Sequence, residues 1–161
     1  MFAYIMHTLI FWHIQTSFLP QAFTSISYVT LDSEINAKWQ NESIILTSEP
    51  TQAILVKDKV NKLFDGLFNL SYPLQCLWFV NTYTVEIEPD FLKGQDVYTL
   101  IVQENNITVI QTYTFRNLKL TFIDLSRNGI QVVENLAFAN LSNLEVIYLA
   151  ENELTTLNSK A

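Results

Sequence analysis

Three stretches of the chain repeat one pattern at a nearly fixed distance. They are Leu100-Ile-Val102-Gln-Glu-Asn105-Asn-Ile107, Ile123-Asp-Leu125-Ser-Arg-Asn128-Gly-Ile130 and Ile147-Tyr-Leu149-Ala-Glu-Asn152-Glu-Leu154. Each reads apolar-x-apolar-x-x-Asn-x-apolar, and successive Asn residues lie 23 and 24 positions apart. A period of that length is the mark of a solenoid, in which no repeat buries its apolar face except against its neighbours. Alternation with period two predicts a short strand in each repeat, with one set of side chains inward and the other outward. Stacked repeats then align these strands into a parallel sheet.

The Asn follows the strand, where the chain turns. Its side-chain amide carries two donors and an acceptor, so it is suited to satisfy backbone groups in the turn and in the next coil, as a buried ladder. Ile110, Val133 and Leu157 continue the inward set on the far wall, and Phe91, Phe115 and Phe138 form a further column at spacings of 24 and 23. Upstream, Leu77, Phe79, Ile87 and Phe91 mark one more repeat. There Thr82 falls at the ladder position and Asn81 one place early. Leu55, Val60, Leu63 and Leu67 suggest a divergent first repeat, with Asp58 at its ladder position.

The segment Leu144-Glu-Val-Ile147-Tyr-Leu149-Ala-Glu-Asn152-Glu-Leu154 resembles the leucine-rich repeat at every anchor position. Phe115-Arg-Asn-Leu118 and Phe138-Ala-Asn-Leu141 resemble the ending of the extracellular repeat class, similar to Toll-like receptor ectodomains and secreted insect immune proteins. The resemblance implies an α/β-type solenoid: a right-handed coil of four to five repeats with a curved parallel sheet on its concave face. The repeats fall near 51–73, 74–96, 97–119, 120–143 and 144–161, the last incomplete. Residues 23–50, with Tyr28–Leu31 and Ser43–Leu46, are expected to form a short strand-rich cap over the N-terminal end.

Of the 161 residues, 49% are hydrophobic and 16% charged, as suits a chain with a sizeable core. A net charge of −7 argues against nucleic acid as a partner. Residues 1–22 begin with an apolar stretch lacking any Asp, Glu, Lys or Arg, and resemble a secretory signal peptide. Four N-x-[ST] sequons, at Asn41, Asn69, Asn106 and Asn140, suit a secreted glycoprotein with no membrane insertion in the mature chain. Cys76 is the lone cysteine, so an internal disulfide is excluded. It reads either as a small buried residue or as an intermolecular link in a dimer. The family commonly closes its ends with disulfide-bonded caps, from which this chain departs.

No catalytic constellation is legible. Both histidines, His7 and His13, fall in the leader, and no nucleophile elbow, phosphate loop or paired cysteine ligands occur. No cofactor or metal is expected. Glu86, Glu88 and Asp90 form an acidic cluster that reads as a solvated turn in preference to a cation site.

A function would then sit on the outward strand positions. Register predicts one column of Trp78, Ile101, Asp124 and Tyr148, and a neighbouring one of Cys76, Thr99, Phe122 and Val146. Beyond them come Val80, Gln103, Ser126 and Ala150, then Asn81, Glu104, Arg127 and Glu151. The expected partner-binding residues are Trp78, Ile101, Phe122, Asp124, Arg127, Val146 and Tyr148, because clustered aromatic and apolar side chains on an outer face mark protein contacts. The same side chains can instead pack on one another across strands, or on a second copy of the chain. The functional expectation is a non-catalytic, secreted binding protein, in innate immune recognition or adhesion. The alternative is the N-terminal part of a membrane receptor ectodomain.

Overall fold

The computed structural model describes residues 28–31, 44–46, 53–56, 59–70 and 72–157. The expected signal peptide, Asp58 and the sequon residue Asn41 lie outside them. In chain order the strands are β1 (Tyr28–Leu31), β2 (Ile44–Leu46), β3 (Ala53–Val56), β4 (Lys62–Leu63), β5 (Phe68–Leu70), β6 (Leu74–Phe79), β7 (Glu86–Ile87), β8 (Val97–Ile101), β9 (Val109–Ile110), β10 (Phe122–Asp124), β11 (Val132–Val133), β12 (Val146–Tyr148) and β13 (Thr156–Leu157).

A six-stranded parallel sheet of order β1-β3-β6-β8-β10-β12 forms one wall. Its pairing follows the repeat: Leu77 lies opposite Leu100, Leu100 opposite Ile123, and Ile123 opposite Ile147. The opposite wall is built from two-residue strands, with β9, β11 and β13 forming one parallel set and β4 and β7 another. Among the described residues no helix occurs, and turns link the two walls. The solenoid expected from the repeat is present.

Two strands of the region expected to cap the N-terminal end lie among the described residues. β1 pairs in parallel with β3, placing Tyr28 beside Ala53, and β2 pairs in parallel with β5. Tyr28-Val-Thr-Leu31 carries the same alternation as the repeat strands, which lets it join their sheet as a further rung.

One continuous core runs between the walls. Leu77, Phe79, Leu100 and Ile123 from the main sheet are fully buried, as are Val102 and Leu125 just beyond its strands and Ile87, Ile110 and Val133 from the far wall. Each such side chain contributes about 1.5–3 kcal/mol by leaving water. Phe115 and Phe138 stack with ring centroids 5.4 Å apart, and Phe79 meets Phe91 edge to face at 6.1 Å.

The Asn ladder holds the turn that follows each main strand. Asn128 donates its Nδ2 protons to the carbonyls of Val102 (2.8 Å) and Leu125 (3.0 Å), and Oδ1 accepts from the Ile107 N–H. Asn152 repeats this on Leu125, Leu149 and Ile130. Asn105 reaches the Phe79 carbonyl at 2.8 Å and accepts from the N–H groups of Thr82 and Thr84. The amide therefore reaches back to the preceding coil, rather than on to the next. The carbonyls of Phe79, Val102 and Leu125, at the ends of the earlier strands, are the acceptors it meets there. In the 74–96 coil Thr82 occupies the ladder position and is fully buried. Its hydroxyl bonds Asn105 Oδ1 and Thr84 Oγ1, and the Thr84 hydroxyl donates to the Val60 carbonyl at 2.7 Å. Two threonines thus perform the backward reach that one asparagine makes elsewhere.

The corners of the coil are turned by residues with positive φ. Asn81, Glu104, Arg127 and Glu151 form one such column, all at 54–55°. Gly66, Asp90, Tyr113 and Leu136 form a second, and Gly94, Asn117 and Asn140 a third. A left-handed backbone costs about 1–2 kcal/mol at a non-glycine residue. The compensation is visible in the N–H groups, which point to the next coil: Asn81 to Gln103, Arg127 to Ala150, Tyr113 to Leu136 and Asn117 to Ala139, at 3.0–3.2 Å. Leaving those groups buried and unpaired would cost a comparable amount.

Candidate functional site

Parallel pairing without a register slip fixes the outer face of the main sheet. Leu55, Trp78, Ile101, Asp124 and Tyr148 stand in one row across β3, β6, β8, β10 and β12. Ala53, Cys76, Thr99, Phe122 and Val146 form the next. From Trp78 and Cys76 onward the rows are those read from the sequence. Leu55, expected as an apolar anchor of the first repeat, instead stands on the outer face, because Ile54 and Val56 on either side of it pair with Leu77 and Phe79 and fill the core. The face is not uniformly open.

Ala53, Cys76 and Ile101 form a small second core on this face, with Trp78, Val80 and Phe122 packed against it. Ile101 is only 5% exposed, so it supports its neighbours rather than presenting itself to a partner. The reason is the close spacing of adjacent strands, which lets large side chains on one face cover a smaller one between them. Cys76 is fully buried, and burial pushes its thiol well up, against smaller opposing effects of hydrogen bonds with Trp78 and Leu77. A buried, protonated thiol is a poor partner for disulfide exchange, so the expected dimer link through Cys76 is not supported.

Asp124 is also drawn inward, at 9% exposure. Its Oδ1 accepts from the Ser126 N–H (2.9 Å) and hydroxyl (2.6 Å), and Oδ2 accepts from Gln103 Nε2 at 2.6 Å. A carboxylate so engaged orders the strand-to-turn corner and is not a free anchor for a partner. Gln103 and Ser126 were legible as outward positions. Their tie to Asp124 depends on the separation of β8 and β10, which spacing alone does not give.

What remains accessible is aromatic at the C-terminal side and ionic at the rim. Phe122 and Tyr148 meet edge to face at 5.5 Å, with Tyr148 and Val146 each 37% exposed. Trp78 is half-buried on the other side of the Ile101 cluster. Arg127 bridges Glu104 (3.1 Å) and Glu151 (3.2 Å) along one corner column, and its guanidinium is held above its ordinary pKa by Glu151 first and Glu104 second. Such exposed pairs contribute little to stability, but they fix the charge pattern beside the aromatic rows.

The acidic cluster is neutralised within the chain. Lys62 Nζ lies 3.0 Å from Glu86 and 2.6 Å from Glu88, while Arg116 grips Asp90 through two bonds of 2.6 and 2.7 Å. Arg116 accordingly holds the Asp90 carboxyl below its ordinary value. Among the described residues no group of three or more His, Cys, Asp or Glu side chains is placed to hold a metal ion, and no helix is long and apolar enough to cross a membrane. Of the sequons, Asn106 and Asn140 are exposed, Asn140 donating Nδ2 to Asn117 Oδ1 at 3.1 Å. Asn69 lies on β5.

The coil geometry, the Asn ladder and the main-sheet register are those of a leucine-rich-repeat coil, and residues 119–161 match the family model described as Leucine rich repeat. Among curated proteins the chain is similar to Toll-like receptor 3 of Bos taurus, 36% identical over 73 residues, or 44% of this chain and 8% of that receptor. Toll-like receptor 3 of Boselaphus tragocamelus is 34% identical over the same share of each chain. "Leucine-rich repeats and immunoglobulin-like domains protein 1" of Homo sapiens is 37% identical over 54 residues, 34% of this chain and 5% of the human protein. The matched stretch is thus less than a tenth of each relative's length. No solved structure matches the chain.

Proposed function

We propose that the chain is a non-catalytic, extracellular, glycosylated protein that binds a protein partner through the outer face of its main sheet. The proposed setting is innate immune recognition or adhesion, and the similarity of its repeats to those of Toll-like receptor 3 supports a receptor-type role. The observation that carries this reading is the half-exposed aromatic set of Trp78, Phe122 and Tyr148 with Val146, rimmed by the Arg127 ion pairs. Rigid aromatic side chains anchored from one side supply contact area at small entropic cost, the usual make-up of an energetic hot spot. Ile101 and Asp124 belong to the support beneath that set, and a second copy of the chain is another occupant the face could take.

The test is partner capture from the source tissue or fluid, followed by quantitative binding. Trp78→Ala and Tyr148→Ala should each weaken binding at least tenfold while shifting the melting temperature little. Equal binding by both variants would overturn the reading, and a large fall in melting temperature for both would reassign the residues to the core. A second reading, part of a longer receptor ectodomain, is supported by the similarity to Toll-like receptor 3, of whose length the match covers 8%. Further repeats in the transcript downstream of this segment would decide for it.

A further inference from the structure

The two most exposed large apolar side chains among the described residues lie away from the binding face. Tyr83 and Val85 are 52% and 53% exposed and flank Thr84, which is fully buried and bonded to the ladder. Thr82 and Thr84 are buried, while Tyr83 between them and Val85 beyond them face outward. Tyr83 is held there with a φ of 61°, an unusual backbone for an aromatic residue.

One coil on, the Asn106 N–H donates to the Thr84 carbonyl at 2.8 Å. That bond sets Asn106 beside the Tyr83–Val85 segment. Asn106 opens the sequon Asn106-Ile107-Thr108, in which Asn106 and Thr108 are exposed and Ile107 is buried. On the other side, one coil earlier, Lys59 Nζ lies 5.1 Å from the Tyr83 ring centroid. The aromatic ring is therefore flanked by a cation from the preceding coil and by the glycosylation position of the following one. The equivalent positions further along, Gly129 and Glu153, carry no aromatic group.

We propose that Tyr83 and Val85 are the seat of the innermost sugar of an N-linked glycan on Asn106. This rests on the reading of the chain as a glycoprotein. A pyranose ring presents an apolar face of C–H groups with slight positive charge, which complements the negative face of an aromatic ring. The valine isopropyl group extends that apolar area. The glycan would cover an apolar pair that the fold leaves open and would tie two adjacent coils together. At Asn140 the residue one coil earlier is Asn117, a polar group already bonded to it, so no such seat exists there.

The full chain, expressed in a eukaryotic secretory host, provides the test. Peptide mass spectrometry reports occupancy of Asn106, and melting temperatures are compared for Asn106→Gln and Thr108→Ala in the Tyr83 and Tyr83→Ala backgrounds. Either sequon variant should lower the melting temperature by about 2–4 °C when Tyr83 is present, and leave it unchanged when Tyr83 is absent. Val85→Ser should give part of the same loss, and Asn140→Gln should show no dependence on Tyr83. An unmodified Asn106 would overturn both the seat and the glycoprotein reading at this position. An occupied Asn106 whose loss costs the same in both backgrounds would overturn the seat alone.

Discussion

The coils at 120–143 and 144–157 carry the same anchors and differ in what covers them. Ile123, Leu125 and Ile130 are fully buried. Their counterparts Ile147 and Leu149 are half-buried, and Leu154 is 40% exposed. Asn128 and Asn152 make the same backward bonds, to Val102 and Leu125 respectively. The local conformation is thus intact in both coils, while burial is lower in the one that, among the described residues, is covered from one side. In a solenoid the pattern specifies the shape of a coil, and the adjacent coil supplies most of its stability.

Substitutions can break or sharpen that contrast. The largest effect is expected from Leu125→Ala, a loss of about 3–4 kcal/mol in denaturant unfolding, against roughly 1 kcal/mol for Leu149→Ala. Equal losses would mean that coil stability is local. Next, Asn128→Leu should cost about 1–3 kcal/mol, because three carbonyls and one N–H lose their partner inside the stack. Asn152→Leu should cost less, since water can reach the groups it serves. An unchanged melting temperature for Asn128→Leu would remove the ladder from the account.

Corner strain gives a smaller effect of defined sign. Gly94→Ala should lose about 1 kcal/mol because φ is +73°, although nothing lies within 4 Å of the added Cβ. Leu136→Gly, at a left-handed corner of the neighbouring column and 39% exposed, should show no loss by thermal melting. The smallest effect concerns Asp90, whose carboxyl is held below its ordinary value by Arg116. A depressed carboxylate stabilises the fold fully above the unfolded value of about 4, and that contribution fades as pH falls through the lower folded value. Melting temperature should therefore drop more steeply in acid for the native chain than for Asp90→Asn.

The sheet, its register and the far wall were legible because each repeat restates them: Val102, Leu125 and Leu149 follow one another at one period. Thr82 shows where a single position misleads. As one residue it looks like a missing rung, yet with Thr84 it completes one, through a hydroxyl chain that only the folded distances show. The outer face of the main sheet was half legible. Its rows followed from alternation, whereas the inward withdrawal of Ile101 and Asp124 followed from the size and polarity of side chains on neighbouring strands. Tyr83 and Val85 carried a signal that went unused: two apolar residues beside buried threonines, where other coils place Asn106, Gly129 or Glu153.

By itself the sequence determined the coil. Apolar residues at period two within a period of about two dozen leave stacking as the one way to bury them, and an amide at a fixed place closes each turn. The tertiary structure alone decided which outer residues meet solvent and which disappear. Exposure is set by the neighbours across the strands, and those neighbours lie some 23 residues away in the chain.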